Sequence, residues 1–401
     1  MDLISKIQKN DLCLGCGLCE AIDASHCKMQ LTEDGFYRPR FSFLSDDTIS
    51  VVKNVCPGIT VHASKILSHN CMWGNIVKVS NAWSAERGIR RISSSGGVTS
   101  ALAIYLLETG QVDGVLHVGV EENTYLYNKL FVSRTREEVL RRSSSRYAPA
   151  AVFNEIFHIL DTSGCETFAF IGKPCDIAAM QNLVCAYPQY ANRISHYLSI
   201  FCAGMPSYGA TKKALSMFGK KEEPVSLRYR GDGWPGFFTA TYRDGSECKM
   251  TYNDSWGNIL GKQLGLRCKI CPDGIGMLAD ISSGDSWNTK DGYPDFTEGD
   301  GRNFCFVRTQ KGKMLFDLAV KAGYIVEEEL NVSKVKTMQA YQYERRRMVG
   351  WRIAAVQIMT LGLLRYDNLG YAHIAMHVRL VKGLREMAGT MKRFFKLKKN
   401  M

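Results

Sequence analysis

Eight of the 14 cysteines fall into two sets of four, and this spacing constrains the fold of the 401-residue chain more than any other feature. The first set is the run Cys13-x-x-Cys16-x-x-Cys19, which a distant Cys56-Pro57 closes. Three thiols in one tight loop, with a fourth from a separate segment, is how a ferredoxin-type fold holds a 4Fe-4S cluster. Four thiolates also suit tetrahedral zinc, but zinc usually takes paired C-x-x-C knuckles. The triple run therefore favours iron.

The second set combines Cys268-x-x-Cys271 with Cys175 and Cys202. Cys175 and Cys202 each follow a predicted strand, and the carboxyl ends of parallel strands share one edge of an open α/β sheet. Together with the knuckle, these thiols could hold a second 4Fe-4S cluster. The alternative is that Cys175 and Cys202 are buried core residues and that the knuckle binds zinc. The residues alone leave both interpretations open.

Alternating strand and helix signals predict an α/β fold (α+β overall) with a mixed sheet. Apolar periodicity predicts a helix from Val98 that Gly110 closes, and buried strands over 114–120, 167–171 and 197–201. Turn signals at Asp-Gly pairs predict two hairpins, one in each half of the chain.

Composition shifts along the chain divide it into four predicted parts. These are a ferredoxin-like 4Fe-4S module over residues 1–65, a central α/β domain over 80–220, a lobe with the second cluster over 221–335, and a helical basic tail over 336–401.

Two short runs are candidates for binding a ligand. The run from Arg91 to Gly97 carries three serines and two glycines at a helix start, which suits an anion or the phosphates and ring carbonyls of a flavin. Its alternative is a plain serine cap with close glycine packing. The run from Ala279 to Trp287 places two acids around a Ser-Ser-Gly segment, which we expect to be a flexible turn that holds a ribose or a flavin ring edge.

A third unusual run extends from Arg228 to Gly236, is rich in glycine and contains Trp234. We expect a substrate loop there, and its alternative is the solvated tip of a hairpin.

Positive charge is concentrated at the end of the chain. The net charge is +12, and the segment from His377 to Met401 carries eight Lys or Arg and one acid, Glu386. Because apolar residues in it keep helical spacing, the segment is typical of an amphipathic helix for an anionic membrane surface or an acidic partner. Docking on the protein body with a solvated basic face is the alternative.

Seven segments in order resemble the coenzyme F(420) hydrogenase/dehydrogenase beta-subunit family. They are Cys13–Cys19, Ser94–Val98, Gly172–Cys175, Phe201–Gly204, Tyr229–Gly236, Arg267–Cys271 and Ala279–Asp285. Family members include deazaflavin-reducing hydrogenase and dehydrogenase subunits and a chlorophyll-pathway reductase, and many bacterial members look like reductases associated with exopolysaccharide synthesis.

The resemblance implies FAD and two 4Fe-4S clusters, with the second cluster on Cys175, Cys202, Cys268 and Cys271. It makes the central α/β domain the flavin-binding domain. The expected cofactor-binding residues are Ser94, Ser95, Gly96, Gly97, Thr99, Gly172, Lys173, Gly284 and Asp285. The resemblance stops near residue 300 and assigns nothing to the tail.

The function we predict is an iron–sulfur flavoprotein oxidoreductase that takes electrons from ferredoxin or a similar low-potential donor. The electrons would pass through the clusters to FAD and then to a small-molecule or glycan substrate, or to deazaflavin. The candidates for charge stabilisation or proton donation are Lys173, Arg146 and Tyr147. The alternative is that they bind cofactor phosphates or have a structural role.

Two other classes stay open from the sequence. One is a zinc-knuckle protein that binds nucleic acid or protein; the other is an electron-transfer subunit of a larger complex. We expect no nucleic-acid partner, because the excess charge sits in one terminal helix and does not interleave with aromatic residues. With no secretory signal and no clean apolar span, we expect a cytoplasmic protein that could contact the inner membrane face through its basic helix.

Overall fold

The structure, a computed structural model, describes residues 2–63 and 72–399, without the side chain of Lys399. Its α-helices are α1 (Leu3–Lys9), α2 (Leu18–Ile22), α3 (Asp46–Val55), α4 (Arg87–Ile92), α5 (Val98–Glu108), α6 (Arg136–Arg141), α7 (Ile156–Thr162), α8 (Pro174–Ala186), α9 (Tyr208–Ser216), α10 (Leu266–Lys269), α11 (Gln310–Lys321), α12 (Val335–Met338), α13 (Ala340–Thr360), α14 (Tyr371–Met376) and α15 (Leu380–Lys399).

The strands are β1 (Cys27–Leu31), β2 (Tyr37–Phe41), β3 (Thr60–His62), β4 (Lys78–Ser84), β5 (Gly114–Val120), β6 (Asn128–Ser133), β7 (Phe168–Gly172), β8 (Ile194–Ile200), β9 (Ser226–Arg228), β10 (Phe238–Thr241), β11 (Glu247–Met250), β12 (Ile281–Asp285), β13 (Asn288–Lys290), β14 (Tyr293–Asp295), β15 (Asn303–Val307), β16 (Ile325–Glu329) and β17 (Arg365–Asp367).

An eight-stranded mixed sheet forms the centre of the fold, in the order β16-β4-β15-β12-β8-β7-β5-β6. The four inner strands β12, β8, β7 and β5 pair in parallel, and the outer strands pair antiparallel. Parallel strands that are covered on both faces consist of apolar residues throughout. The sequence of β7, Phe-Ala-Phe-Ile-Gly, has this composition. The mixed α/β class predicted from the sequence is confirmed. The sheet takes strands from both sides of residue 220, and the predicted domain division stays a prediction.

The carboxyl ends of β7 and β8 lie side by side, with Gly172 opposite Ser199. Cys175 follows the first end and Cys202 the second, so the predicted sharing of one sheet edge is confirmed. The helix expected from Val98 is α5, and β5 has the bounds that its apolar run predicted.

The N-terminal segment consists of α1–α3 and the hairpin β1–β2, whose turn lies at the expected Asp34-Gly35. Gly35 touches α9: a Cβ on Gly35 would lie 2.5 Å from the backbone nitrogen of Gly209. The second predicted hairpin is β10–β11. Residues 64 and 65 of the predicted module, and the last residues of the predicted tail, lie outside the described residues.

The C-terminal helices pack on one another, with α13 against both α14 and α15. Arg352 of α13 forms an ion pair with Glu386, the acid of the basic segment, at 2.9 Å. Within the described residues, no helix combines the length and apolarity that crossing a bilayer requires.

Candidate redox site

The first cysteine set is brought together by the loop before α2 and the end of α3. Cys56 is buried and the other three cysteines are half-buried, and desolvation raises the pKa of Cys16 and Cys19 well above the ordinary thiol value. The thiols of Cys56 and Cys13 add to both shifts, which shows that the four groups are close enough to interact. Four crowded thiols resist ionising together unless a cation binds them, so the donor set fits an iron–sulfur cluster.

Two glycines shape the loop of the first set. Gly15 has φ +67° and Gly17 has φ +91°, in the left-handed region that other residues avoid. A Cβ on Gly15 would lie 2.6 Å from the carbonyl oxygen of Tyr37, and the Gly15 amide donates to Cys13 Sγ at 3.4 Å. The glycines therefore let the loop close tightly enough to turn three thiols inward.

The second cysteine set surrounds a small cavity of about 20 Å³. Cys175 lies at the start of α8, Cys202 follows β8, and Cys268 and Cys271 lie in and after α10; all four line the cavity. Leu14, between two thiols of the first set, lines it too. The four half-buried thiols around this void are the donor set that a second cluster would use, and Leu14 brings the first set beside it.

Three cations surround this cavity: Lys173, Arg267 and Arg345. Burial opposes the charge of Lys173, but Asp176 and the neighbouring thiols raise its pKa above the usual range. Positive charge beside four thiolates offsets the charge that a bound cluster brings with it. The surroundings as well as the thiols therefore suit an anionic cluster.

No group of three or more His, Cys, Asp or Glu side chains in residues 2–63 and 72–399 is arranged to hold a metal ion. Such a group would have to converge on one point. Each thiolate of a four-iron cluster bonds a different iron atom, so the thiols of a cluster are spaced more widely.

A large pocket of about 580 Å³ adjoins the second cysteine set. Lys173, Cys202, Gly204 and Met205 line both the pocket and the small cavity. The pocket volume lies in the range of cofactor and substrate sites, roughly 300–1,000 Å³. A cofactor in the pocket would lie one side chain away from a cluster in the cavity.

Three buried side-chain polar atoms make no hydrogen bond to a nitrogen or oxygen of the described residues: Ser93 Oγ, Gln342 Oε1 and Arg267 Nη1, whose guanidinium is within hydrogen-bond range of the Cys271 thiol. Ser93 and Gln342 line the large pocket, and Arg267 lines the small cavity. An unpaired buried polar group costs about 1–3 kcal/mol, so such groups are normally satisfied. Their placement fits two bound groups that supply the missing partners.

The predicted serine–glycine run lines the pocket at the start of α5. Gly97, at φ +78°, is the N-cap, and no side chain caps the helix. Ser94 Oγ accepts from the Ser145 amide at 2.6 Å, and Ser95 Oγ donates to the Arg302 carbonyl at 2.8 Å. The serine cap of the alternative is therefore absent from this helix start, whereas the close glycine packing that the alternative also named is present.

Close packing explains the remaining glycines of the predicted flavin site. A Cβ on Gly96 would lie 2.8 Å from the Asn303 amide nitrogen, and one on Gly172 would lie 2.9 Å from Asp176 Cβ. Thr99 Oγ1 lies 3.1 Å from Ser283 Oγ at the pocket wall.

The expected flexible turn before Asp285 is wrong: residues 281–285 form β12, a strand between β8 and β15. Its small side chains allow close packing, since a Cβ on Gly284 would lie 2.5 Å from the ring of Phe304. Both oxygens of Asp285 accept from Arg230, each at 3.0 Å, and Trp234 Nε1 donates to one of them at 2.8 Å. Asp285 therefore anchors the pocket wall.

The predicted substrate loop supplies that anchor. Arg230 is 3% exposed and Trp234 2% exposed, so the loop is packed into the protein and the alternative of a solvated hairpin tip does not hold. Arg230 also lines the pocket.

All three candidates for charge stabilisation line the pocket. Lys173 Nζ donates to both carboxylate oxygens of Asp176, at 2.7 and 2.6 Å. Arg146 makes four hydrogen bonds to Asn128 and to three backbone carbonyls, so its guanidinium is held by the protein. The Tyr147 ring packs against Trp256, with centroids 4.6 Å apart.

Sequence reasoning missed much of the pocket wall. Tyr252, Trp256, Phe296 and the unpaired Gln342 all line it. Their positions along the chain show no shared spacing, because separate loops and α13 bring them together. Their one sequence signal is the density of aromatic residues between 229 and 296.

Fold and site together describe a redox protein of the mixed α/β class with a cofactor-sized pocket beside clustered cysteines. Residues 79–156 match the amino-terminal part, and residues 165–333 the carboxyl-terminal part, of the family described as "Coenzyme F420 hydrogenase/dehydrogenase, beta subunit". The chain belongs to this family, which confirms the resemblance found in the sequence.

Similar proteins are oxidoreductase subunits. "Coenzyme F420 hydrogenase subunit beta" of Methanococcus voltae is 26% identical, over 66% of this chain and 88% of that protein. "F420-dependent formate dehydrogenase 1 subunit beta" of Methanococcus maripaludis is 26% identical, over 57% of this chain and 56% of that protein. A chain of the F420-reducing [NiFe] hydrogenase complex from Methanosarcina barkeri has a similar fold, with a TM-score of 0.55 and 20% identity over 74% of this chain and 97% of that one.

Proposed function

We propose that the chain is an iron–sulfur flavoprotein oxidoreductase with two 4Fe-4S clusters and FAD. The observation that carries the proposal is the wall shared by the small cavity and the large pocket, which includes Cys202 and Lys173. The first cysteine set would hold the entry cluster, the second set the inner cluster, and the pocket the flavin. Flavin supplies the junction between one-electron carriers and two-electron organic chemistry.

Electron balance defines the donor and acceptor. Two molecules of a one-electron donor such as ferredoxin would each be oxidised once, at the first set. The substrate would gain two electrons and two protons: one proton, taken up from solvent on reduction of the flavin, would move with both electrons as a hydride, and the second would come from the protein or solvent. We place the substrate at the aromatic side of the pocket, beside Trp256 and Tyr252. A small organic molecule, a glycan or deazaflavin would meet this requirement.

Lys173 has the position to act on both the inner cluster and the pocket. Its charge is held by Asp176, which suits charge stabilisation better than proton donation, because its pKa is raised. We expect Lys173→Ala to abolish turnover while FAD stays bound. Steady-state turnover and flavin content of the same preparation check this, and full activity of the variant would end the assignment.

Metal and flavin content test the whole proposal. The protein should be purified without oxygen, its absorption spectrum recorded, and iron, sulfide, zinc and flavin measured on the same sample. About eight irons and one FAD per chain are expected from two four-iron clusters. About four irons with FAD would reassign one cysteine set, and zinc without flavin would overturn the oxidoreductase.

The proposal includes a cytoplasmic location and contact between α15 and an anionic membrane surface. The inner side of α15 is buried at Phe394, whereas Leu380, Leu384 and Phe395 are 63%, 46% and 56% exposed. These three apolar residues recur at helical spacing, and the Lys and Arg residues around them suit lipid headgroups. Flotation with anionic vesicles is expected, and Phe395→Gln should reduce it; equal flotation with zwitterionic vesicles would contradict the electrostatic part.

A second candidate function is electron transfer within a larger complex, because the similar proteins have the word subunit in their names. Turnover by the purified single chain, given a reductant and a substrate, would exclude it.

A further inference from the structure

Arg267 lies buried between the two cysteine sets. It belongs to α10 and is 2% exposed. Its Nε donates to the carbonyl oxygens of Pro57 and Gly58, at 3.2 and 2.9 Å, and its Nη2 donates to Pro57 at 2.6 Å. Pro57 and Gly58 directly follow Cys56, so these hydrogen bonds hold the guanidinium against the segment that supplies the fourth thiol of the first set.

The opposite side of the same guanidinium borders the second set. Its Nη1 bonds no nitrogen or oxygen of the described residues, its guanidinium is within hydrogen-bond range of the Cys271 thiol, and Arg267 lines the small cavity together with all four thiols of that set. The Tyr366 ring packs on the guanidinium, 5.0 Å from Cζ, and its hydroxyl donates to the Gly58 carbonyl at 2.6 Å. The orientation is thus held by packing as well as by hydrogen bonds. A thiol is a weak acceptor, so a fixed, buried cationic donor beside one is costly unless a sulfur that carries negative charge accepts from it.

We propose that Arg267 tunes both cysteine sites at once: Nη1 donates a hydrogen bond to a sulfur held at the second set, and its charge acts on both sets. The inference rests on the proposed function, in which each set holds a 4Fe-4S cluster. Positive charge and hydrogen bonds to sulfur stabilise the reduced cluster, which carries one more electron, and so raise its reduction potential. Because the guanidinium is buried, water screens this effect weakly.

Arg345 is a matched control for this inference. It is 5% exposed, and it donates to the carbonyl oxygens of Cys202 at 2.8 Å and Cys268 at 2.7 Å. Both residues belong to the second set. The chain therefore offers one buried arginine that touches both sites and another that touches one.

The test is a potentiometric titration of the full-length protein, followed by electron paramagnetic resonance under anaerobic conditions. Arg267→Gln is expected to shift both cluster midpoint potentials to more negative values. Arg345→Gln is expected to shift one potential and leave the other unchanged. Arg267→Lys keeps the positive charge but loses the guanidinium N–H group that donates to the sulfur. It should therefore lower the potential of the second set and leave that of the first set near the wild-type value.

Iron and flavin content of each variant separate the possible failures. Two cluster signals in Arg267→Gln with only one shifted, or with neither shifted, would overturn the inference and leave the proposed function standing. If Arg267→Gln does not fold, Arg267→Lys decides, and an unchanged potential of the second set would overturn the inference. Wild-type protein without two iron–sulfur signals would overturn the proposed function itself.

Discussion

The two cysteine sets reach their geometry by different routes. The first set takes three of its thiols from one loop of seven residues, which Gly15 and Gly17 allow to close. The second set takes its thiols from the start of α8, the end of β8 and the segment around α10. A local loop can form its site once its own segment folds, whereas the second site requires the finished central sheet.

The two sets also differ in charge. Lys173, Arg267 and Arg345 border the second set, whereas the first set has Arg267, which also acts on Cys56, and Arg38, which opposes the burial that raises the pKa of Cys13. More positive charge stabilises a reduced cluster, so we expect the second set to have the higher potential. Electrons would then move from the first set towards the pocket without an uphill step.

Removing one ligand from each set should have the largest effect. Cys268→Ser and Cys16→Ser are each expected to lose roughly four of eight irons, because serine replaces one thiolate of a four-iron cluster. With the proposed FAD bound in the pocket, its reduction by a strong chemical reductant should slow in Cys268→Ser and stay near wild type in Cys16→Ser, since only the second set adjoins the pocket. Iron assays and stopped-flow absorbance measure both effects.

Cys185→Ser is the matched control for these variants, because Cys185 is exposed on α8 and lies outside both sets. It should keep full iron and full rates. Loss of all iron from either ligand variant would show that the two sets do not form independent sites.

A single added methyl group should be enough to prevent closure of the first cysteine loop, although no ligand is removed. Gly15→Ala places a Cβ at φ +67° and 2.6 Å from the Tyr37 carbonyl oxygen, so the loop must open. We expect loss of the iron of the first set with the second retained. In Gly245→Ala, at φ +80°, the Cβ meets no atom within 4 Å. That control should cost about 1–2 kcal/mol of unfolding free energy from the left-handed backbone alone and keep all its iron.

Comparing iron content and thermal unfolding of the two alanine variants separates the clash from the backbone cost. Equal iron in both would mean that the first loop tolerates opening.

The smallest effect is expected at Cys27, a fifth thiol near the first set. Cys27 is fully buried at the start of β1, where burial raises its pKa to about 11, and its thiol contributes to the raised pKa of Cys19. Cys27→Ser should keep about eight irons per chain, because the other four thiols complete the site. A loss of iron in this variant would replace one of the four assigned ligands with Cys27.

Strands and helices with a strong apolar pattern could be predicted from the sequence, and β5 and α5 have the predicted starts. The segment 281–285 could not, because Ser-Ser-Gly is typical of a turn when read locally. It forms a central strand because the aromatic ring of Phe304 and its neighbours need small residues beside them. Tertiary packing overrode local propensity there.

Short-range spacing and ordered motifs in the sequence are enough to predict the first cysteine loop, the mixed α/β class and the family. The groups that meet across long separations are visible only in the folded protein. Folding places Cys202 and Lys173 on the walls of both cavities, pairs Arg230 with Asp285, and brings the Arg267 guanidinium beside Cys271. These contacts depend on how strands and loops pack in three dimensions, and the spacing of residues along a chain does not encode distances of that kind.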